Sequence, residues 1–174
     1  MDQRNSSIYR VLARTYRPDY FDALIGQEAL VQTLTNAIEL IRLARAFILT
    51  GVRGVGKTTT ARILAKGLNC IGPDSTAKPN INPCNQCEPC KAIQMGNHID
   101  VLEMDAASNT GVDDIREIID SSVYRPVSAR YKIYIIDEVH MLSKNAFNAL
   151  LKTLEEPPDT VCLLYTSPSP RDRG

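Results

Sequence analysis

Apolar positions along the chain follow two rhythms that alternate. Behind Gln27, Leu30, Leu34, Ile38 and Ile41 recur at three- and four-residue spacing and make one buried helix face. Ala46-Phe47-Ile48-Leu49-Thr50 is a short apolar run ending at Gly51, the pattern of a buried parallel strand. A Gly-rich turn follows, then a helix over 57–68. Residues 70–90 break the rhythm: Gly, Pro, Asn and Cys dominate, and no core periodicity survives. A short helix over 91–94, a strand over 99–104 and a loop over 105–111 come next. Val112, Ile115, Ile118 and Ile119 then share a helix face, and 132–137 is a third apolar strand. Ser143 caps a helix whose core face is expected to hold Phe147, Leu150, Leu151 and Leu154. Glu155-Glu156-Pro157-Pro158 ends it, because proline cannot continue a helix, and a fourth strand starts at Val161. Strands alternating with helices predict an α/β fold, a parallel sheet with helices on both faces. Residues 1–20 are polar with scattered apolar anchors, and Pro18 limits any helix there.

Composition narrows the function without choosing it. The 174 residues suffice for one domain with a real core, and 44% hydrophobic with 23% charged residues is ordinary for a soluble protein. Twenty basic residues balance twenty acidic ones, so no global field draws the chain to nucleic acid. Any DNA contact must come from a local surface or from a ring that pools several subunits. The polar start carries no apolar signal segment, and no stretch reaches membrane-spanning length, so a cytoplasmic protein is expected. Five cysteines in a reducing compartment point to a metal site rather than to disulfides.

Three constellations carry chemistry. Gly51-Val52-Arg53-Gly54-Val55-Gly56-Lys57-Thr58 matches G-x-x-x-x-G-K-[ST] without a mismatch, between an apolar strand and a helix. Its glycines let backbone N–H groups converge on phosphate oxygens, at the positive end of the following helix. Lys57 offers a charge to the β and γ phosphates of ATP, and Thr58 a hydroxyl to Mg²⁺. The bland alternative is a chance Gly-rich turn. Second, Ile133-Tyr134-Ile135-Ile136-Asp137-Glu138 is an apolar strand ending in two carboxylates, where open α/β sheets bind ligands. Asp137 is the candidate Mg²⁺ holder and Glu138 the candidate that polarises the attacking water. Taken alone such a pair is a solvated loop start; beside the P-loop it describes a hydrolysis site. His140 could reach this site or serve as a hydrogen-bonded structural histidine. Third, Cys70, Cys84, Cys87 and Cys90 form a set of four thiols suited to tetrahedral Zn²⁺. Iron–sulfur ligation and free thiols remain the alternatives, with structural zinc favoured because the insertion carries no redox motif. Cys162 stands apart and reads as a buried core thiol. The loop Ser108-Asn109-Thr110-Gly111 is a capped turn or, alternatively, a phosphate contact.

With these motifs placed, the chain resembles the AAA+ clamp-loader ATPases, of the gamma/tau type found in bacterial DNA polymerase III. The carrying residues are Leu12-Ala13-Arg14-Thr15-Tyr16-Arg17-Pro18 with Phe21 and Ile25-Gly26-Gln27; the P-loop through Thr59; and the four-cysteine insertion. Glu103-Met104-Asp105-Ala106-Ala107-Ser108, residues 131–142 and residues 148–158 complete the set, and the resemblance covers about 8–161. It implies a P-loop NTPase domain over 1–161 with a small zinc-binding insertion at 70–90. It also implies an ATPase working in DNA replication: a hetero-pentameric ring with other clamp-loader subunits that opens a sliding clamp and places it on primed DNA. Ala13, Arg17, Pro18 and Ile25 would wrap the adenine. Through the holoenzyme, the resemblance associates the chain with DNA-directed DNA polymerase, a nucleotidyltransferase. A branch-migration helicase of the same superfamily is one alternative, which the zinc insertion and the Glu-Glu-Pro-Pro helix end disfavour. A non-hydrolysing adaptor for clamp and DNA is another, which intact Lys57, Thr58, Asp137 and Glu138 disfavour.

After Val161 the pattern departs from the family, which continues with a sensor strand, a Ser-Arg-Cys motif, a lid and a collar. Residues 162–174 are therefore expected to be a non-native or disordered tail, leaving the domain incomplete at its C-terminus.

Overall fold

In the computed structural model, residues 18–23, 28–39, 46–50, 56–108, 111–155 and 159–168 are described. Five helices, α1 (Glu28–Glu39), α2 (Lys57–Asn69), α3 (Glu88–Met95), α4 (Val112–Ser122) and α5 (Lys144–Glu155), alternate with four strands. The strands are β1 (Ala46–Thr50), β2 (Val101–Asp105), β3 (Lys132–Asp137) and β4 (Val161–Ser167). They form one sheet in the order β1-β4-β3-β2, and every pairing is parallel.

Strand alternation divides the core between the two faces of this sheet. Ile133 and Ile135 of β3, with Cys162 and Leu164 of β4, pack against Leu34, Ile38, Ile63, Leu64 and Leu68 of α1 and α2. Their neighbours Tyr134, Ile136, Leu163 and Tyr165 point the other way, onto Ile115 of α4 and Ala146 and Leu150 of α5. Both inner strands are therefore apolar along their middle, over Ile133–Ile136 and Val161–Tyr165, as a strand covered on both faces must be. β2 lies at the sheet edge and is only partly covered, with Leu102 43% exposed.

Two polar devices tie the loops to this core. Asn69 at the end of α2 imitates a strand neighbour: its amide donates to Tyr131 O at 3.0 Å and its oxygen accepts from Tyr131 N at 2.9 Å. Arg130 donates to Leu68 O (3.2 Å), Cys70 O (2.8 Å) and Ala77 O, which caps α2 and anchors the insertion. The backbone of the insertion also meets α2 directly at Gly67. A Cβ there would stand 2.2 Å from Asn80 O, and Asn80 N donates to Gly67 O at 3.1 Å.

The structure departs from the sequence pattern at several places. β4 runs through Ser167 in the interior of the sheet, so residues 162–167 are strand, buried through Thr166, and not the expected disordered tail. Pro and Arg at 168–173 dominate the reading of that tail, whereas Cys162, Leu163, Leu164 and Tyr165 carry enough apolar surface to bury. Phe147 and Leu151 are 38% and 42% exposed, so the core face of α5 is Ala146 and Leu150, one residue or about 100° round from them. The strand expected from 99 begins at Val101, because Ile99 and Asp100 form a turn. The helix expected over 91–94 begins at Glu88, inside the cysteine motif, with Pro89 in its first turn where a missing N–H costs nothing. The side chains of Leu30 and Leu154, and residue Ile41, lie outside what the structure describes.

Candidate functional site

The C-terminal ends of β3 and β4 converge on the N-terminus of α2. Gly56 precedes that helix at φ 87°, a left-handed backbone that a side chain would strain, and its carbonyl accepts from Thr60 N at 2.8 Å. Lys57 is the first residue of α2 and Thr58 the second. The Thr58 hydroxyl donates to Asp137 Oδ2 at 2.7 Å, joining residues 79 positions apart in sequence. Thr59, predicted as part of the same loop, is buried.

Asp137 ends β3 and Glu138 turns out of it at φ 53°, an uncommon conformation for a non-glycine residue. The left-handed turn separates the two carboxylates. Asp137 faces Thr58, and the Glu138 carboxylate approaches His140 Nδ1 at 3.3 Å. Thr166 on the neighbouring strand braces both: its hydroxyl donates to Asp137 Oδ1, and its oxygen accepts from Glu138 N at 2.9 Å. Thr166 is completely buried. It was missed as a site residue because it falls in the segment read as tail. A threonine at the end of an apolar run, four residues beyond Cys162, was the available signal.

A cavity of about 500 Å³ opens beside this point. Thr58, Thr59 and Asp137 line one end, Pro18, Asp19, Lys66 and Gln94 the other, and Arg62 and Glu103 lie in its wall. The last two form a bidentate pair with both N···O distances 2.7 Å. Among the adenine candidates, Pro18 reaches this cavity; Ala13, Arg17 and Ile25 lie outside the described residues, as do Gly51, Val52, Arg53, Gly54 and Val55 of the loop.

The four cysteines of the insertion come together in a second site. Their sulfurs all lie within 4.8 Å of one another, and Cys70, Cys87 and Cys90 are buried. A zinc tetrahedron with bonds of ~2.3 Å has edges of roughly 3.8 Å, so this donor set fits zinc after a small contraction. Amides already point at the sulfurs. Cys84 N donates to Cys70 Sγ at 3.4 Å, and Gln86 N and Cys87 N donate to Cys84 Sγ at 3.4 and 3.3 Å. Burial alone would raise the Cys84 thiol, but these amides and the neighbouring thiols outweigh it and bring it down to about 6. Burial, with the adjoining Cys87 and Cys70, pushes Cys90 up instead. Such a cluster favours one thiolate first, and a cation would draw the others to the same state. The five cysteines are all free of disulfides, and Cys162 is buried in the sheet, where desolvation raises its thiol to about 12. No helix among the described residues is long and apolar enough to cross a membrane.

Comparisons with known proteins add the family context. A family model described as "DNA polymerase III, delta subunit" matches residues 26–172. The chain is 52% identical over 164 residues to a protein of Haemophilus influenzae named "DNA polymerase III subunit tau/gamma", covering 94% of this chain and 23% of that one. It is 48% identical to "DNA polymerase III subunit tau" of Escherichia coli, covering 94% and 25%, and 48% identical to the protein of that name in Bacillus subtilis, covering 93% and 28%. The chain thus spans about a quarter of the length of these relatives. Among solved structures, a RuvB of Thermotoga maritima superposes with a TM-score of 0.51 at 21% identity, over 88% of this chain and 41% of that one, which shows a shared fold.

Proposed function

Because the chain belongs to the DNA polymerase III, delta subunit family, we propose that it is the nucleotide-binding part of an ATP-hydrolysing clamp-loader subunit. In this reading the full-length protein joins other clamp-loader subunits in a hetero-pentameric ring in the cytoplasm and places a sliding clamp on primed DNA. The polymerase chemistry belongs to a partner within the holoenzyme. The tau and gamma names of its relatives support the replicative setting.

The observation that carries the proposal is the 2.7 Å hydrogen bond between Thr58 and Asp137. It brings the N-terminus of α2 and the acidic tip of β3 face to face, which supports a metal held between them. Gly51 through Thr59 would surround the phosphates, with Lys57 against the β and γ oxygens. Thr58 and Asp137 would hold Mg²⁺, which when bound neutralises charge on the phosphate oxygens. Glu138 takes the proton of the attacking water, and its left-handed turn aims it away from the metal ligand. Thr166, bonded to the Asp137 carboxylate and to the Glu138 backbone N–H, holds that separation. Ala13, Arg17, Pro18 and Ile25 would contact the adenine. Cys70, Cys84, Cys87 and Cys90 would hold Zn²⁺ in a structural role, since four protein thiolates would leave it no open position.

The test is Lys57→Ala in the full-length protein, assembled with its partner subunits. Nucleotide binding and clamp placement should both be lost. If both survive, the phosphate-binding reading is wrong.

A further inference from the structure

The far end of the cavity is lined by Asp19, Lys66 and Gln94, and Asn85 of the cysteine insertion stands behind them. Lys66 of α2 is only 2% exposed, yet it carries a charge that must be satisfied. Its ammonium donates to Asn85 Oδ1 at 2.8 Å and to Asp19 O at 3.4 Å, and it lies 3.5 Å from the Asp19 carboxylate. Asn85 returns the contact: its amide donates to Asp19 O at 3.4 Å. Gln94, on the helix that begins in the cysteine motif, donates to Asp19 Oδ1 at 2.9 Å. Asp19 is therefore held from three directions, by Lys66 of α2, by Asn85 of the insertion and by Gln94 of α3. It stands beside Pro18, in the same cavity as Thr58 and Asp137.

Asn85 has no freedom independent of the cysteines. It sits between Cys84 and Cys87 at φ 55°, in the tight turn whose amides point at Cys84 Sγ. Opening that turn moves Asn85 off both Lys66 and Asp19.

We propose that Asn85, Gln94 and Lys66 are positioning residues that fix Asp19 as a wall of the ATP cavity, so that the folded state of the metal-holding cysteine turn sets nucleotide affinity. This rests on the nucleotide reading given above.

The experiment measures Mg-ATP affinity of the zinc-replete full-length protein by calorimetry, with zinc content determined on the same samples. Asn85→Ala and Asp19→Ala should each weaken binding about fivefold, the worth of one hydrogen bond, with zinc content unchanged. Asp19→Asn should recover most of the Asp19→Ala loss, because its side-chain oxygen still accepts from Gln94. Gln86→Ala, exposed in the same turn, should bind normally. Removing zinc with a chelator should weaken the unaltered protein to a similar degree, but add little further loss in Asn85→Ala. The Asp19 side chain is 42% exposed, so its replacement spares the core and the test does not depend on Asn85→Ala folding. Normal affinity in Asp19→Ala and Asn85→Ala, with binding abolished by Lys57→Ala, overturns this proposal alone. Normal affinity in Lys57→Ala overturns the nucleotide reading and this proposal with it.

Discussion

Asp100 offers a severe test of how the sheet is positioned. It is fully buried at the entrance to β2, and its carboxylate accepts three backbone N–H groups: Val127 at 2.7 Å, Ser128 at 2.8 Å and Ala129 at 2.8 Å. The Ser128 hydroxyl adds a fourth contact at 3.3 Å. Asp100 thereby fastens the loop between α4 and β3, and β3 carries Asp137. Hydrogen bonds to a charged group contribute about 1.5–3 kcal/mol each, but they are not additive. Val127 and Ser128 are exposed residues, so water can reach the amides once the carboxylate is gone. Asp100→Ala should therefore cost about 3 kcal/mol, well below the simple sum, which lowers Tm by roughly 6–12 °C in a domain of this size.

The pH dependence fixes the mechanism. Burial pushes the Asp100 carboxyl up, but the amides of Val127, Ser128 and Ala129 and the Ser128 hydroxyl outweigh it and leave it below its ordinary value. A lowered folded value means that the unfolded chain binds the proton first as pH falls. The stabilisation is then fully present above about pH 5 and is lost through and below about pH 4. Thermal melts of the unaltered protein and of Asp100→Asn should differ most at neutral pH and converge in acid. A Tm within 2 °C (roughly half a kcal/mol) for Asp100→Ala, or a difference that grows as pH falls, would refute the reasoning.

Further outcomes are expected at the two sites. Glu138→Gln should retain Mg-ATP binding while turnover falls about 100- to 10,000-fold, read by equilibrium binding and phosphate release in the assembled protein. Cys90→Ser should abolish stoichiometric zinc and lower Tm, as measured by metal analysis and melting, because Cys90 is completely buried among the other three sulfurs. Gly67→Ala should destabilise the chain by about 1–3 kcal/mol despite alanine's better helix propensity, since the added methyl meets the Asn80 backbone; hydrogen exchange should rise first around Asn80. Arg62→Ala should cost only about 0.5–1 kcal/mol, because the pair with Glu103 is partly exposed.

Periodicity made the alternation of strands and helices readable because each inner strand and each helix buries a face. It failed where burial depends on a neighbour that the local pattern does not show. On α5, Phe147 and Leu151 are as apolar as Leu150, but the sheet reaches only the face that holds Ala146 and Leu150. The motifs at 51–59, 137–138 and 70–90 were legible because phosphate and metal chemistry require fixed residue types at fixed spacing. Among the described residues, Thr58 meets Asp137 and the four cysteine sulfurs gather together.

What stayed hidden is the support around these residues. Thr166 matters because parallel pairing of β3 with β4 sets Ile136 beside Tyr165 and so brings the next residues, Asp137 and Thr166, to the same level. Composition at 168–174 hid this, since a Pro- and Arg-rich end says nothing of the strand before it. The Asp19, Lys66, Asn85 and Gln94 cluster joins separate stretches of chain, and none of its members is a residue that defines a motif. A motif records which atoms touch the ligand. The contacts that hold those atoms in place are made by whatever residues the fold brings near, so a local sequence pattern need not reveal them. That difference is why the candidate phosphate end can be read at its motif, while the far wall of the cavity is visible only once the insertion has folded against α2.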